Sequence, residues 1–472
     1  MYYQPWCAYD NYNYNYCGWS CCGEYNYCIT PYCCDSRNGN NSGGGGGGGT
    51  NPTGLPPNIV IGYWENWPST PNLRLRNVSD KWDVVVVSFA LANGSAAEFT
   101  PDPSLYANEQ QFIDDVKFLQ ARGQKVIISL GGATDNTFTI TNTAQRDSFA
   151  NSLISIINRY GFDGLDIDIE HNAATGQDPM LVDGETSITS PTKPFNQYII
   201  NILRTVKAAM SSGFILSVTP EFPYVQGGAQ TWGSYNTPGQ GIYGGYLALL
   251  NGIRDIITYI APQYYNNDLE DYAALGIDNR YDADMLVRMT KALIDGFHVK
   301  DHGFFQGFPP SRVVFTVLQK QAGRNCSFLA SVPGGQDCGA MPVSTYETAL
   351  ATLLAEYPDF RGIGTWSINI PLREGGADDF ADKIHADVID PLARGAAPEI
   401  SSSEEYQTRH AARTAQAPAA AKLVDDFPQT YTARHAKLKY NVYARKVGYW
   451  RRRENSSLYL APQSGILYPK GD

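Results

Sequence analysis

The chain has 472 residues, of which 43% are hydrophobic and 18% are charged, and its formal net charge at pH 7 is −11. This length accommodates one large domain with smaller modules, and the acidic balance argues against a nucleic-acid-binding protein. No apolar run approaches the roughly 20 residues of a membrane helix, and the first residues show neither the basic nor the apolar region of a signal peptide.

Cysteine is concentrated near the beginning of the chain. Seven of the nine cysteines lie within residues 1–36, among many tyrosines, and Cys326 and Cys338 follow much later. This density predicts a disulfide-stapled module in an oxidising, extracellular setting, with a zinc site as the alternative. One of the seven thiols is then free, paired with another chain, or paired with sequence that has been removed. The module could stack its aromatic side chains on a polysaccharide, or dock on a protein of a virion or matrix.

Two linkers divide the sequence. Residues 37–57 hold a run of seven glycines and then NPTGLPPN, which predicts a flexible segment with a stiffer end. A large body spans 58–395. Residues 396–422 are rich in Ala and Ser and form a second predicted linker. The tail, 423–472, is basic and aromatic, so it is a docking segment, a small β module or a weakly ordered end.

Within the body, apolar β-type runs alternate with helical patterns. Strands are predicted at 58–64, 84–90, 125–132, 162–170, 215–222, 259–266, 313–320 and 362–369, and helices at 109–122, 144–160, 194–210 and 282–297. Eight strands with intervening helices predict an α/β fold, a (β/α)8 TIM barrel. A doubly wound sheet is the alternative. Polar residues at the carboxyl ends of the strands favour the barrel, because barrel active sites lie at that face.

The segment GFDGLDIDIE, residues 161–170, carries the strongest chemical signal. Strand alternation places Asp166, Asp168 and Glu170 on one face and apolar side chains on the other. Crowding disfavours ionisation of all three carboxyl groups, so one can keep a proton at neutral pH and act as a general acid. A metal site or a solvated strand end is the alternative. Asp163 falls on the opposite face and is predicted to be structural.

Several motifs resemble those of family-18 glycoside hydrolases, the chitinase family, and follow the same chain order. DGLDIDIE is similar to the family's DxxDxDxE signature, and ISLGG is similar to its SxGG motif through Ser129, Gly131 and Gly132. Further similar segments are GYWENW, SFA, PEFPYVQGG, QYYN and TWSIN. The resemblance covers about residues 58–395. It implies a barrel that acts on chitin or N-acetylglucosamine oligomers without a cofactor or metal.

What the resemblance implies for mechanism is retaining, substrate-assisted hydrolysis, in which the substrate's own N-acetyl group attacks the anomeric carbon. Glu170 would protonate the glycosidic oxygen, and Asp168 would orient the acetamido group. Asp166 would share a proton or a hydrogen bond with Asp168. Tyr265 would hydrogen-bond the acetamido oxygen, and Trp366 would lie beneath the sugar. The other implied substrate contacts are Tyr63, Phe89, Glu221, Gln263 and Asn266.

The region between the seventh and eighth strands, about residues 320–362, has room for one helix and one loop. It lacks the inserted α/β module of many family members, which implies an open groove and internal cleavage. Cys326 and Cys338 are predicted to form a disulfide there, with two buried free thiols as the alternative. WSINIPL departs from the family's common WSINWD form.

Two other functions are compatible with the resemblance. One is a catalytically idle barrel that binds chitin or serves as a structural component. The other is a hydrolase of a different N-acetylglucosamine linkage, in peptidoglycan or N-glycans. The intact acidic set, with Glu170 at its end, favours an active enzyme. In every case the two ends of the chain are candidates for docking on a partner.

Overall fold

The computed structural model describes residues 52–133, 140–170, 187–229, 232–234, 241–266, 275–277, 280–321 and 337–394, and the backbone of two short segments near the C-terminus. Eight parallel strands form its centre. They are β1 (Ile59–Glu65), β2 (Val84–Asn93), β3 (Lys125–Gly131), β4 (Gly164–Asp168), β5 (Ile215–Val218), β6 (Tyr259–Ile260), β7 (Val314–Leu318) and β8 (Gly362–Trp366).

The strands follow one another around a ring. β8 pairs with β7 and β1, and β1 to β6 pair in chain order. Single parallel bridges, Ile260 with Val313 and Gln263 with Thr316, join the segments around β6 and β7. The predicted (β/α)8 TIM barrel is therefore confirmed, and the doubly wound alternative is wrong.

Helices surround the ring. Those that follow β2 to β7 are α1 (Glu109–Ala121), α2 (Thr143–Tyr160), α3 (Pro194–Ala209), α4 (Leu247–Ile253), α5 (Ala283–Asp295) and α6 (Val343–Glu356). Three short helices follow β8: α7 (Asn369–Arg373), α8 (Phe380–Ile384) and α9 (Asp390–Ala393). Side-chain caps begin α1, α2 and α5, where Asn108, Asn142 and Asp282 accept a backbone N–H three residues on. These caps fix the starts of three of the four predicted helices, each within one residue of its predicted start.

Most strands are shorter than the sequence predicts, and the shortest two, β5 and β6, are interrupted by proline. Regular pairing of β5 ends at Val218, before Pro220, and that of β6 ends at Ile260, before Pro262. Proline has no N–H to donate to a neighbouring strand, so the ladder stops there. Beyond the interruption, Gln263 resumes contact through isolated bridges to Glu221 and Thr316.

Apolar side chains fill two layers. The larger layer lies between the ring and the helices. The smaller one lies inside the barrel and is formed by alternate residues of the strands, among them Ile59, Ile61, Val84, Val86 and Ile215. Both faces of each strand are buried. The strand sequences are therefore nearly continuous apolar runs, as is typical of parallel sheets.

Residues 52–57, assigned above to the linker, pack on the barrel. Leu55 is 5% exposed and joins the apolar cluster inside the barrel. Arg361 donates from Nη1 to the carbonyl oxygens of Pro56 and Pro57, at 2.9 and 3.2 Å. Leu55 thus covers the amino-terminal end of the barrel interior, and the folded unit begins before residue 58.

Several predictions concern residues outside the described part of the chain. These are the Cys-rich module 1–36, the glycine-rich part of the linker 37–57, Cys326, the linker 396–422 and most of the tail 423–472. In the tail, Leu458–Leu460 pairs antiparallel with Leu467–Pro469. Among the helices that the structure describes, none is long and apolar enough to cross a membrane.

Candidate active site

A buried carboxylate surrounded by hydroxyl groups lies at the centre of the barrel. Asp166 on β4 is fully buried, and each of its oxygens accepts two hydrogen bonds. Ser217 and Thr219 donate to Oδ1 at 2.6 and 2.9 Å, and Ser129 and Tyr63 donate to Oδ2 at 2.8 and 3.2 Å. These four hydroxyl groups match the acceptor capacity of a carboxylate and lower the pKa of Asp166, but burial is the larger effect and raises that pKa overall.

One layer closer to the carboxyl end of the barrel, two acidic side chains share a hydrogen bond. Asp168 and Glu170 are joined directly, and the amide Nε2 of Gln263 donates to both, at 2.7 Å to Asp168 and 2.9 Å to Glu170. A hydrogen bond between two carboxyl groups requires that one of them carries a proton. The pair therefore holds a transferable proton at the face of the barrel where substrates bind.

Burial and crowding act in the same direction on this pair. Burial raises the pKa of Asp168 well above its usual value, and the charges of Glu170, Asp166 and Glu221 raise it further. Burial also raises the pKa of Glu170, while hydrogen bonds from Gln263 and Asp168 oppose that rise. The proton consequently remains on the pair at a pH where an isolated carboxyl group would have lost it.

The predicted partnership of Asp166 differs from what the structure shows. The sequence analysis paired Asp166 with Asp168, but the hydrogen bonds of Asp166 in the described residues come from hydroxyl groups. Asp168 instead shares its hydrogen bond with Glu170. The reason is that side chains of neighbouring strands reach Asp166 across the barrel interior. The charge of Asp166 still acts on Asp168, whose pKa it raises.

Two glycines allow β3 to approach the end of β4 closely. Gly132 donates its N–H to the carbonyl oxygen of Asp168 at 2.6 Å. Gly131 has a φ of +122°, and a Cβ there would lie 2.1 Å from the same oxygen. Gly132, with a φ of +85°, has the ring of Phe89 against it, 2.7 Å from an added Cβ. Both positions require the absence of a side chain.

An aromatic shelf, formed by Trp67, Phe89 and Trp366, lies at the same end of the barrel as the carboxyl pair. Phe89 and Trp366 are nearly parallel, with ring centroids 5.5 Å apart and an interplanar angle of 10°. Trp67 lies 6.1 Å from Trp366 and 6.4 Å from Phe89. The ring of Tyr63, whose hydroxyl reaches Asp166, lies 6.0 Å from Trp366. Tyr63 thus connects the shelf to the buried carboxylate.

A buried ion pair fixes the end of β8 against β1. Glu65 is 1% exposed and receives hydrogen bonds from Arg373 and from the hydroxyl of Ser367. The backbone N–H of Glu65 donates to Asn369 at 3.0 Å. Ser367 directly follows Trp366, so this link sets the position of the tryptophan in the shelf. Arg373 directly follows the segment WSINIPL, where the sequence departs from the common family form.

The other predicted site residues are distributed around this centre. Tyr265 is buried, two residues after Gln263, and the backbone N–H of Asn266 donates to the carbonyl of Cys338 at 3.0 Å. Glu221 is half-buried, and its charge reaches Asp168. Cys338 is buried, whereas its predicted partner lies outside the described residues.

Asp163 lies at the other end of β4. Its carboxylate accepts hydrogen bonds from the side chain of Gln120 and the backbone N–H of Val126, both at 2.9 Å. It therefore joins α1, β3 and β4 and takes no part in the acidic cluster.

Sequence reasoning missed five residues of the site: Glu65, Trp67, Ser217, Thr219 and Arg373. Ser217 and Thr219 alternate along a predicted strand, and this polar alternation inside an apolar run could have revealed them. Trp67 stands in GYWENW, but no local signal shows that it stacks on residues of β2 and β8. In the described residues, no group of three His, Cys, Asp or Glu side chains could hold a metal ion.

Comparisons with known proteins point to one family. The model of the glycosyl hydrolases family 18 matches residues 59–236. Chitinase Chi52 of Paenibacillus xylanexedens is 36% identical over 330 residues, which are 67% of this chain and 59% of that protein. Chitinase D of Niallia circulans is 35% identical over 322 residues, 66% of this chain and 58% of that protein. The chain thus spans somewhat more than half the length of these curated relatives.

A solved structure covers the barrel. The crystal structure of a family GH18 chitinase from Chromobacterium violaceum is 32% identical, with a TM-score of 0.57 over 72% of this chain and 86% of that one. This chain belongs to the glycosyl hydrolases family 18.

Proposed function

We propose that the protein hydrolyses β-1,4 linkages between N-acetylglucosamine residues of chitin and retains the anomeric configuration. The observation that carries this proposal is the amide of Gln263, which donates to Asp168 at 2.7 Å and to Glu170 at 2.9 Å and so brings the two carboxyl groups together at the same end of the barrel as the aromatic shelf. Glu170 is half-buried, so it can meet a substrate, and its raised pKa suits a general acid at neutral pH.

The proposed reaction uses the substrate's own acetamido group. Glu170 protonates the glycosidic oxygen while the acetamido oxygen attacks the anomeric carbon and forms a cyclic oxazolinium ion. Asp168 stabilises the positive charge that develops on the acetamido nitrogen, and Asp166 adds its fixed negative charge from below. Water then opens the ring, with Glu170 as the base. Family-18 enzymes are exceptions to the rule of two catalytic carboxylates for this reason.

The aromatic shelf gives the substrate its orientation. The apolar face of a sugar ring packs on an aromatic face, and Trp366 offers such a surface next to the carboxyl pair. Tyr265 and Gln263 supply polar groups at the same strand end. Between β7 and β8 the described residues hold one helix, α6, which supports an open groove and internal cleavage of the polymer. A polymeric, insoluble substrate fits a secreted protein, with the two ends of the chain available to dock on it.

The test compares two hexamers of equal length, one of N-acetylglucosamine and one of glucosamine. Only the acetylated hexamer can supply the nucleophile, so we expect it to be cleaved and the deacetylated hexamer to remain intact. Proton NMR of the first products should show the β anomer, and a thiazoline analogue of the intermediate should inhibit. Release of the α anomer would rule out the mechanism.

The same assay separates the alternatives. Cleavage of a glycoprotein or of peptidoglycan instead of the chitin hexamer would assign another linkage. Binding of the hexamer without cleavage would identify an idle barrel. A reducing-end label on the hexamer shows whether cleavage begins inside the chain, as we expect, or at its end.

Replacing Gln263 with methionine, which has a similar volume, should shift the pH dependence. The amide of Gln263 stabilises the charged form of Glu170 and so lowers its pKa. Its removal raises the pKa of Glu170, and the enzyme keeps the acid proton to higher pH. The alkaline limb of kcat/KM should therefore move to higher pH, while kcat itself falls. An unchanged or downward-shifted limb in the pH profile would contradict the role of this hydrogen bond.

A further inference from the structure

The backbone between Asp168 and Glu170 continues past the end of the parallel ladder. Regular pairing of β4 ends at Asp168, and the last ladder bond toward β5 runs from the N–H of Thr219 to the carbonyl oxygen of Ile167, at 2.8 Å. Pro220 follows Thr219, beyond the last regularly paired residue of β5, Val218. The next carbonyl of β4 that points toward β5, that of Ile169, has no partner in the ladder. A buried carbonyl of this kind needs a donor from elsewhere.

The hydroxyl of Tyr246 supplies that donor. It donates to the carbonyl oxygen of Ile169 at 2.7 Å, and both residues are buried. On the other side of the strand, the N–H of Gly132 holds the carbonyl of Asp168 at 2.6 Å. The two peptide groups that connect Asp168 to Glu170 are thus held from opposite sides, one by β3 and one by Tyr246.

Tyr246 is itself held at several points. Its backbone N–H donates to the carbonyl of Tyr224 at 3.0 Å, and its own carbonyl accepts the N–H of Leu250 in α4 at 2.8 Å. Its ring packs against that of Tyr224, with centroids 5.4 Å apart and an interplanar angle of 72°. The side chain therefore has little freedom, and its hydroxyl is a fixed reference point for the peptide that carries Glu170.

We infer that Tyr246 is a positioning residue for the general acid: through the carbonyl of Ile169, it sets where the Glu170 carboxyl group meets the glycosidic oxygen. The inference rests on the proposed function, in which Glu170 donates the proton. It assigns no contact with substrate to Tyr246, whose ring and hydroxyl are buried behind β4.

The test is Tyr246→Phe, which keeps the ring packing and removes one hydroxyl. The matched control is Tyr346→Phe. Tyr346 is also buried and donates at 2.7 Å to a backbone carbonyl at the end of a barrel strand, but that carbonyl belongs to Leu318 on β7 and not to the strand that carries the acidic pair. Both variants are assayed on a chitin hexamer and on an aryl β-glycoside of the N-acetylglucosamine dimer. A phenolate leaves without full protonation, so the aryl substrate depends much less on the general acid.

We expect Tyr246→Phe to lower kcat on the hexamer by about 10- to 100-fold, because small displacements of a catalytic group have effects of that size. KM should stay near the wild-type value, and the loss on the aryl glycoside should be much smaller. Tyr346→Phe should keep the wild-type ratio of the two rates. The ratio is measured within one sample, so partial unfolding lowers both rates equally and leaves it unchanged.

Equal losses of Tyr246→Phe on both substrates, or no loss at all, would overturn the inference. A wild-type protein that cleaves neither substrate would instead contradict the proposed function. The two failures are therefore distinguishable in one experiment.

Discussion

Replacing Glu170 with glutamine should lower kcat on a chitin hexamer by about 10²- to 10⁴-fold, the usual contribution of a general acid. The amide has the shape of the carboxyl group, can still accept from Gln263 and can donate to Asp168, so the local hydrogen bonds persist. It cannot give a proton to the glycosidic oxygen. Binding of the hexamer, measured by calorimetry, should remain close to that of the wild-type protein.

The control for this variant is Glu347→Gln. Glu347 is half-buried in α6, and burial together with Asp387 raises its pKa, so the same chemical change is made in a comparable environment. Turnover of Glu347→Gln should match the wild type. Near-normal turnover of Glu170→Gln would remove Glu170 from the acid role, and loss of hexamer binding would show that the substitution damages more than proton transfer.

Replacing Gly131 with alanine should reduce both activity and stability. The new Cβ would lie 2.1 Å from the carbonyl oxygen of Asp168, which is backbone and cannot rotate away, and the φ of +122° adds strain of about 1–3 kcal/mol. The end of β4 must move to relieve the overlap, and it carries Asp168 and Glu170 with it. We expect kcat to fall by about 100-fold, as for other displacements of a catalytic group.

Gly123→Ala separates strain from overlap. Gly123 has a φ of +92°, but an added Cβ has no heavy atom within 4 Å. This variant should lose stability in chemical denaturation through backbone strain alone and should keep its turnover number. If Gly131→Ala behaved like Gly123→Ala in both measurements, the close approach of β3 to β4 would have no catalytic importance.

Local pattern was sufficient to predict the architecture. Period-two alternation in GLDIDIE located β4 and the face that carries Asp166 and Asp168. The helical patterns at 109–122 and 144–160 predicted α1 and α2, which begin at Glu109 and Thr143 in the structure. These signals act over a few residues, and each is a property of the backbone and its immediate neighbours.

The site's finer geometry depends on contacts between distant segments, which no local pattern encodes. Tyr246 and Ile169 are 77 residues apart, and Glu65 and Arg373 are 308 residues apart. Asp168 pairs with Glu170 because the oxygens of Asp166 already accept hydrogen bonds from hydroxyl groups of three other strands. Strand alternation brought the three carboxyl groups to one face, but it could not show which two would share the proton.

The packing of Leu55 beneath the barrel affects how this unit can be separated from its neighbours in the chain. A fragment cut at residue 58 would lose the side chain that closes the barrel interior at that end, and Arg361 would lose two carbonyl acceptors. Water would then have access to Ile59, Val84 and Ile215, which are fully buried in the intact chain. A cut, a fusion to another module or an exchange of the preceding segment should therefore be placed ahead of Pro52. Leu55 then stays with the barrel that it covers.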